Sequence, residues 1–199
     1  MNNGPGLTLE QIIDGCRRGE AEARRELYNL LANTMFGVVR RYIRDTQTAE
    51  DLLHDGFVTL FTRIGDYRGE GSFEGWCRRI FVNTVLSHFR KKNPLNSSED
   101  MDTLTMRSGI EPTAIEEMSA AEIMECMEEL SPGYRTIFNL HAVEGYSYPE
   151  IAEMLGITEA TTRSQYLRAR LKLMELIEKK CDTYDQLKPS KERNTSGKK

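Results

Sequence analysis

From Asn93 to about Thr113 the helical pattern of the chain breaks off. Lys92-Asn93-Pro94 closes a helical stretch, the polar run Asn96-Ser97-Ser98-Glu99-Asp100 follows, and Gly109 and Pro112 extend the interruption. A segment this poor in apolar side chains cannot offset the entropy of ordering itself, so one continuous core through the whole chain is excluded. On both sides apolar residues recur with the helical period, and no useful length of period-two alternation occurs. The expectation is an all-α protein of two small helical domains, residues 7–92 and 117–180, joined by a flexible acidic linker, 93–116. A disordered tail is expected over 181–199, ending in Lys188 to Lys199, which contains no apolar residue.

Charge sharpens this division. The 199 residues carry 27 Lys and Arg against 31 Asp and Glu, net −4, a balance that by itself argues against a nucleic-acid partner. Taken in segments it says the opposite. Residues 24–92 hold 12 basic against 8 acidic residues, net +4; residues 93–134 hold 1, Arg107, against 10, net −9; residues 163–180 hold 6 against 2, net +4. Two basic blocks flank an acidic one.

No apolar run approaches the roughly 20 residues of a membrane helix, and Met1 to Gly6 lacks the layout of a signal peptide. A cytoplasmic protein without membrane insertion is expected. Cys16, Cys77, Cys126 and Cys181 form no CxxC pair, so neither a zinc site nor a disulfide framework is indicated, and they read as buried or incidental thiols.

In the first domain, Thr48-Ala49-Glu50-Asp51 reads as a capping-box start to a helix whose apolar stripe is Leu53, Phe57, Leu60, Phe61 and Ile64. Asp51 and Asp55 fall on the other side, an acidic face on a cationic domain that suits a basic protein partner. Gly56 in mid-helix costs about 1 kcal/mol against Ala and calls for close packing or a weakened helix. The loop Arg68-Gly69-Glu70-Gly71-Ser72 permits positive φ, and Ser72 can cap a helix from Phe73 to about Lys92. Phe73, Trp76, Cys77, Ile80, Phe81 and Thr84 share its apolar face. Arg79, Asn83 and Arg90 fall elsewhere together, where aromatic residues and cations could serve opened DNA.

The second domain carries helix-turn-helix punctuation. Ser147-Tyr148-Pro149-Glu150 is a capping box with proline in the first turn, Ile151, Ala152 and Leu155 form a packed face ending at Gly156, and Thr158 caps a second helix. Thr162, Tyr166, Ala169 and Leu173 face inward, whereas Thr161, Ser164, Gln165, Arg168 and Lys172 face outward with groups suited to base edges in a major groove. Arg163 and Arg170 project sideways towards phosphates.

Catalytic constellations are lacking. Asp51 and His54 have the i, i+3 spacing of helical di-metal sites, but His88 and His141 follow Val85 and Phe138 at that spacing, so no metal is expected. No nucleophile triad, phosphate loop or catalytic carboxylate pair is found, and the chain is expected to be neither an enzyme nor a binder of a cofactor or small-molecule substrate.

The residues resemble the extracytoplasmic-function (ECF) sigma factors of bacterial RNA polymerase. The likeness runs through Ala49 to Phe57, Tyr67 to Phe73, Trp76 to Ile80 with Asn83, and Phe89 to Lys92. It resumes at Leu130 to Arg135, Phe138 to Leu140, Glu144 to Ser147, Glu150 to Ala152, Leu155 to Ile157 and Arg163 to Arg170. Differences from the usual pattern fall at His54, Gly56, Cys77, Ala160 and Thr162.

The resemblance implies a sigma region 2 helical bundle and a sigma region 4 helix-turn-helix. It implies docking of Asp51, Leu52, Asp55, Phe57 and Thr59 on the clamp helices of the large subunit of core polymerase. Arg68, Gly69, Ser72, Phe73, Arg79, Asn83 and Arg90 would then meet the melted −10 element, where a base is flipped into the glycine-bearing loop. Thr161, Arg163, Ser164, Gln165, Arg168 and Lys172 would read −35 duplex. The −9 segment between two +4 blocks motivates a further expectation, that an anti-sigma factor or the two domains closing over the acidic linker holds the free protein inactive. The competing reading is a helix-turn-helix regulator that acts without being a polymerase subunit.

Overall fold

Thr8 opens the first helix by a capping box. Its hydroxyl accepts from the Gln11 amide at 3.3 Å, while its own amide donates to the Gln11 side chain at 2.8 Å, satisfying two amides the helix leaves unpaired. The computed structural model describes residues 7–92 and 119–187, so the expected linker lies outside the described residues, as does the tail beyond residue 187. Every regular element among the described residues is helical, and none of these helices is long and apolar enough to cross a membrane. The chain divides into two units, Met1–Ser98 and Glu99–Lys199.

The first unit comprises α1 (Leu9–Arg17), α2 (Ala21–Arg40), α3 (Thr46–Arg63), a 3-10 turn (Ile64–Asp66) and α4 (Phe73–Lys92). Gly15 lets α1 and α2 cross closely, since a Cβ there would lie 2.6 Å from Cβ of Ala23. Leu27, Leu31, Met35, Val38 and Val39 of α2 meet Leu52, Leu53, Phe57 and Leu60 of α3 and Cys77, Phe81, Val85 and Leu86 of α4 in the core. At about 25 cal/mol per Å² of apolar area, that burial is the main force assembling helices whose individual ends are only locally capped. The ring of Phe57 ties three helices together, 4.5 Å from Tyr28 and 5.2 Å edge-on from Phe81.

The second unit comprises α5 (Ala120–Glu129), α6 (Pro132–Phe138) continued by a π-helical turn (Asn139–Val143), α7 (Tyr148–Leu155) and α8 (Glu159–Leu187). Cys126, Met127 and Leu130 pack with Leu173 and Ile177, fixing α5 on the later turns of α8. Lys180 reaches Glu125 across the same seam. Thus α8 is far longer than a recognition helix needs, and the tail expected from residue 181 starts inside it: no glycine or proline interrupts the sequence before Pro189.

Candidate nucleic-acid interface

The acidic face of α3 rests on a cap different from the one expected. Asp45, not Thr48, is the N-cap, its carboxylate accepting from the Thr48 amide at 2.7 Å, so the helix starts at Thr46 and Thr48 lies within its first turn. This frees Asp51 from any reciprocal capping role. Asp51, His54 and Asp55 are exposed, and Thr59 is half-buried with its hydroxyl donating to the Asp55 carbonyl at 2.9 Å. Leu52 and Phe57, expected to touch a partner, are only 4% and 3% exposed and belong to the core. Their positions on the helix point them at α2 and α4, so they support the exposed face from beneath.

Beside the carboxylates runs a groove that periodicity did not reveal. Tyr28, Ala32, Asn33 and Phe36 of α2 line it with Glu50, Leu53 and His54 of α3. Tyr28 is 41% exposed despite packing on Phe57.

The loop after α3 is built around Tyr67. Its hydroxyl donates to the Gly71 carbonyl at 3.0 Å, its ring lies 5.0 Å from Phe73 and 5.5 Å from Trp76, and Gly69 and Gly71 adopt φ of 81° and 74°. Such φ values are strained for any residue with a side chain. Ser72 accepts from the Gly75 amide at 3.3 Å and starts α4 as expected. Arg68, Gly69, Ser72, Arg79, Asn83 and Arg90 are all exposed. Phe73 is not: at 6% exposure it supports the loop from beneath, stacked with Trp76. Arg68, Arg79 and Asn83 make no side-chain hydrogen bond or ion pair among the described residues, which leaves their donors to solvent or a ligand.

In the second unit, Ser147 and Glu150 form both bonds of the capping box, and Gly156 ends α7 at φ 68° in the left-handed region. Thr158 accepts from the Thr161 amide at 3.1 Å to start α8. Thr162, Ala169 and Leu173 are buried, so the opposite face is the one offered outward. It presents Ser164 and Arg168 fully, Gln165 and Lys172 partly. Thr161 is half-buried, its hydroxyl 2.8 Å from that of Thr158. Lys172 pairs with Glu175 at 3.1 Å, and Glu175 is held below the usual carboxylate range by its bonds from Lys179 and Lys172.

Arg163 is the best organised of these cations. Its Nε and guanidinium donate to one oxygen of Glu159 at 3.0 and 2.6 Å, and its charge lies 4.9 Å from the centre of the Tyr148 ring. Tyr148 in turn stacks on His141 at 4.3 Å, whose other neighbour is Tyr166 at 4.5 Å edge-on, while the His141 Nδ1 is 2.8 Å from the Tyr146 carbonyl. This aromatic cluster joins the π-helical turn, α7 and α8, and its members are spread over more than twenty residues of sequence, beyond the reach of a periodicity argument.

Two family descriptions match the chain in order. Sigma-70 region 2 covers residues 27–94, and Sigma-70, region 4 covers residues 120–173, together more than half of the chain. The RNA polymerase sigma-H factor of Pseudomonas aeruginosa is 27% identical over 172 residues, spanning 81% of this chain and 89% of that protein. The ECF RNA polymerase sigma-E factor of Haemophilus influenzae is 27% identical over 186 residues, spanning 87% and 95%. Among solved structures, the sigma factor RpoE of Bartonella quintana, crystallised with the anti-sigma factor NepR, matches with a TM-score of 0.50 at 21% identity over 77% of this chain and 96% of that one, a likeness of fold. A region 2 match ahead of the helix-turn-helix excludes the reading as a regulator independent of polymerase. The chain belongs to the sigma-70 family and is an RNA polymerase sigma factor of the extracytoplasmic-function type.

Proposed function

We propose that this sigma factor docks on the clamp helices of the large polymerase subunit through Asp51, Asp55 and Thr59 of α3, with the α2/α3 groove receiving apolar side chains of the same partner. The observation that carries this reading is the exposure of two carboxylates, one helical turn apart, on a domain whose net charge is otherwise positive. Such a patch attracts and orients a basic surface. Arg68, Gly69, Ser72, Arg79, Asn83 and Arg90 then guide the melted −10 strand, the loop accepting a flipped base and the cations following its backbone. Ser164, Gln165 and Arg168 read base edges of the −35 duplex, with Thr161, Arg163 and Lys172 at the margin of that contact. An anti-sigma protein, of the kind bound to the Bartonella relative, is the partner that restrains the free chain, and the site of action is the cytoplasm, where polymerase works.

Charge reversal tests the docking step. Asp51→Lys with Asp55→Lys should weaken association with core polymerase by about a hundredfold or more, as close charge pairs at interfaces can. Binding of −35 duplex by the same variant should be unchanged. Retained polymerase binding would refute the assignment of α3. Reconstituted transcription from a promoter library, with Asn83→Ala and Gln165→Ala in parallel, reads the two DNA contacts separately.

A further inference from the structure

The loop proposed to receive the flipped base is anchored from outside the segment that matches region 2. Arg17, the last residue of α1, donates from its guanidinium to the Tyr67 carbonyl at 2.6 Å across fifty positions of sequence. The other arm of the same guanidinium is fixed by Asp14 at 2.9 Å. Tyr67 itself closes the loop through its hydroxyl on the Gly71 carbonyl. The loop is therefore held at its first carbonyl by α1 and near its far end by the tyrosine ring, with two glycines at positive φ between.

We propose that Arg17 is a positioning residue for promoter opening: through Tyr67 it presets the Arg68–Ser72 loop in the shape that accepts an unstacked base. The proposal rests on the reading of that loop as the base-accepting element. Three physical points carry it. A charged donor to a carbonyl is among the stronger protein hydrogen bonds and is directional. A loop with two left-handed glycines has many alternative conformations, so an anchor at its entrance removes more entropy than one in a stiffer segment. Extruding a base costs a few kcal/mol, which a pocket already in place does not add to. Arg17 is also not a core residue: its side chain is 39% exposed, and the α1/α2 crossing is made by Gly15 and Ala23 instead.

The test uses the full chain assembled with core polymerase on a promoter carrying each base in turn at the flipped position. Arg17→Ala should leave polymerase association and duplex binding unchanged, slow strand opening about tenfold, the worth of one charge-assisted hydrogen bond, and flatten the base preference. Arg17→Lys, which keeps a charged donor, should recover part of both. Arg68→Ala serves as the control for the loop. If Arg17→Ala opens promoters normally while Arg68→Ala does not, the positioning role is refuted and the loop assignment stands. If neither variant affects opening, the loop assignment fails and the proposal with it. If Arg17→Ala slows opening with base preference intact and Lys gives no recovery, Arg17 contributes only stability, and the proposal is again overturned.

Discussion

Gly56 of α3 and Phe81 of α4 approach so closely that a Cβ on Gly56 would lie 2.3 Å from Cε1 and 2.4 Å from Cδ1 of the phenyl ring. The ring is fully buried and held edge-on by Phe57 at 5.2 Å, so it cannot step aside. Gly56→Ala gains about 1 kcal/mol of helix propensity. It loses more, because overpacking a filled core costs about 1–3 kcal/mol. A net loss of up to about 2 kcal/mol in urea unfolding is expected. Adding Phe81→Leu should make the double variant less unstable than the two single losses combined, the signature of a relieved clash. A stabilised Gly56→Ala would mean that α3 and α4 do not pack this way.

The groove between α2 and α3 supplies a second expectation. Ala32 is half-buried on its wall and outside the innermost core. Ala32→Trp fills the groove while leaving Asp51 and Asp55 in place. Polymerase association should fall by about tenfold or more, consistent with loss of a pocket for an apolar anchor, and −35 duplex binding should not change. Unaltered association in an equilibrium titration would confine docking to the acidic face.

Much of this architecture is legible in sequence because it is written locally. The Ser147/Glu150 box, Gly156 and Thr158 each act within four residues, and the helix-turn-helix stands where they put it. Gly69, Gly71 and Ser72 are equally local, as is the outward stripe of Arg79, Asn83 and Arg90. The cap at Asp45 is masked in the sequence because Thr48 offers a competing one three residues later, and only the geometry chooses the stronger carboxylate acceptor. The resemblance gives Leu52, Phe57 and Phe73 partner roles, yet all three side chains are buried within the fold. The groove, the aromatic cluster around His141 and the Arg17 anchor all join distant segments, and no local pattern encodes such meetings.

Burial pushes the Cys77 thiol from 9.0 up to about 12, with Glu74 adding to the rise. Below pH 9 the thiol is neutral in folded and unfolded chains alike, so its stabilising share is fully present. Between pH 9 and about 12 the unfolded chain ionises first, and stability falls by up to about 1.4 kcal/mol per pH unit. Cys77→Ala should lower stability near neutrality through lost packing, yet flatten this alkaline limb in urea titrations at pH 8 and pH 10. Burial raises Cys16 and Cys126 in the same direction, so part of the slope persists. An unchanged slope in Cys77→Ala would show that this thiol does not carry it.

Glu159 pairs with the Arg163 guanidinium, the group proposed to meet a DNA phosphate. Both side chains are well exposed, 62% for Arg163 and 44% for Glu159, so the pair is worth less than about 1 kcal/mol and is readily exchanged. Glu159→Gln removes the competing charge, and duplex binding should tighten by about two- to fivefold irrespective of sequence. Arg163→Ala should weaken binding across all sequences and reduce the slope of log affinity against log salt by about 1, since one phosphate contact is lost. Tyr148→Phe keeps the ring face beneath the cation and should behave as the parent chain, whereas Tyr148→Leu removes a contribution of about 0.5–1 kcal/mol. Fluorescence anisotropy at several salt concentrations, on matched and scrambled duplexes, separates these outcomes. A change of base preference in Arg163→Ala, with the salt slope intact, would move Arg163 from the phosphate backbone to a base edge.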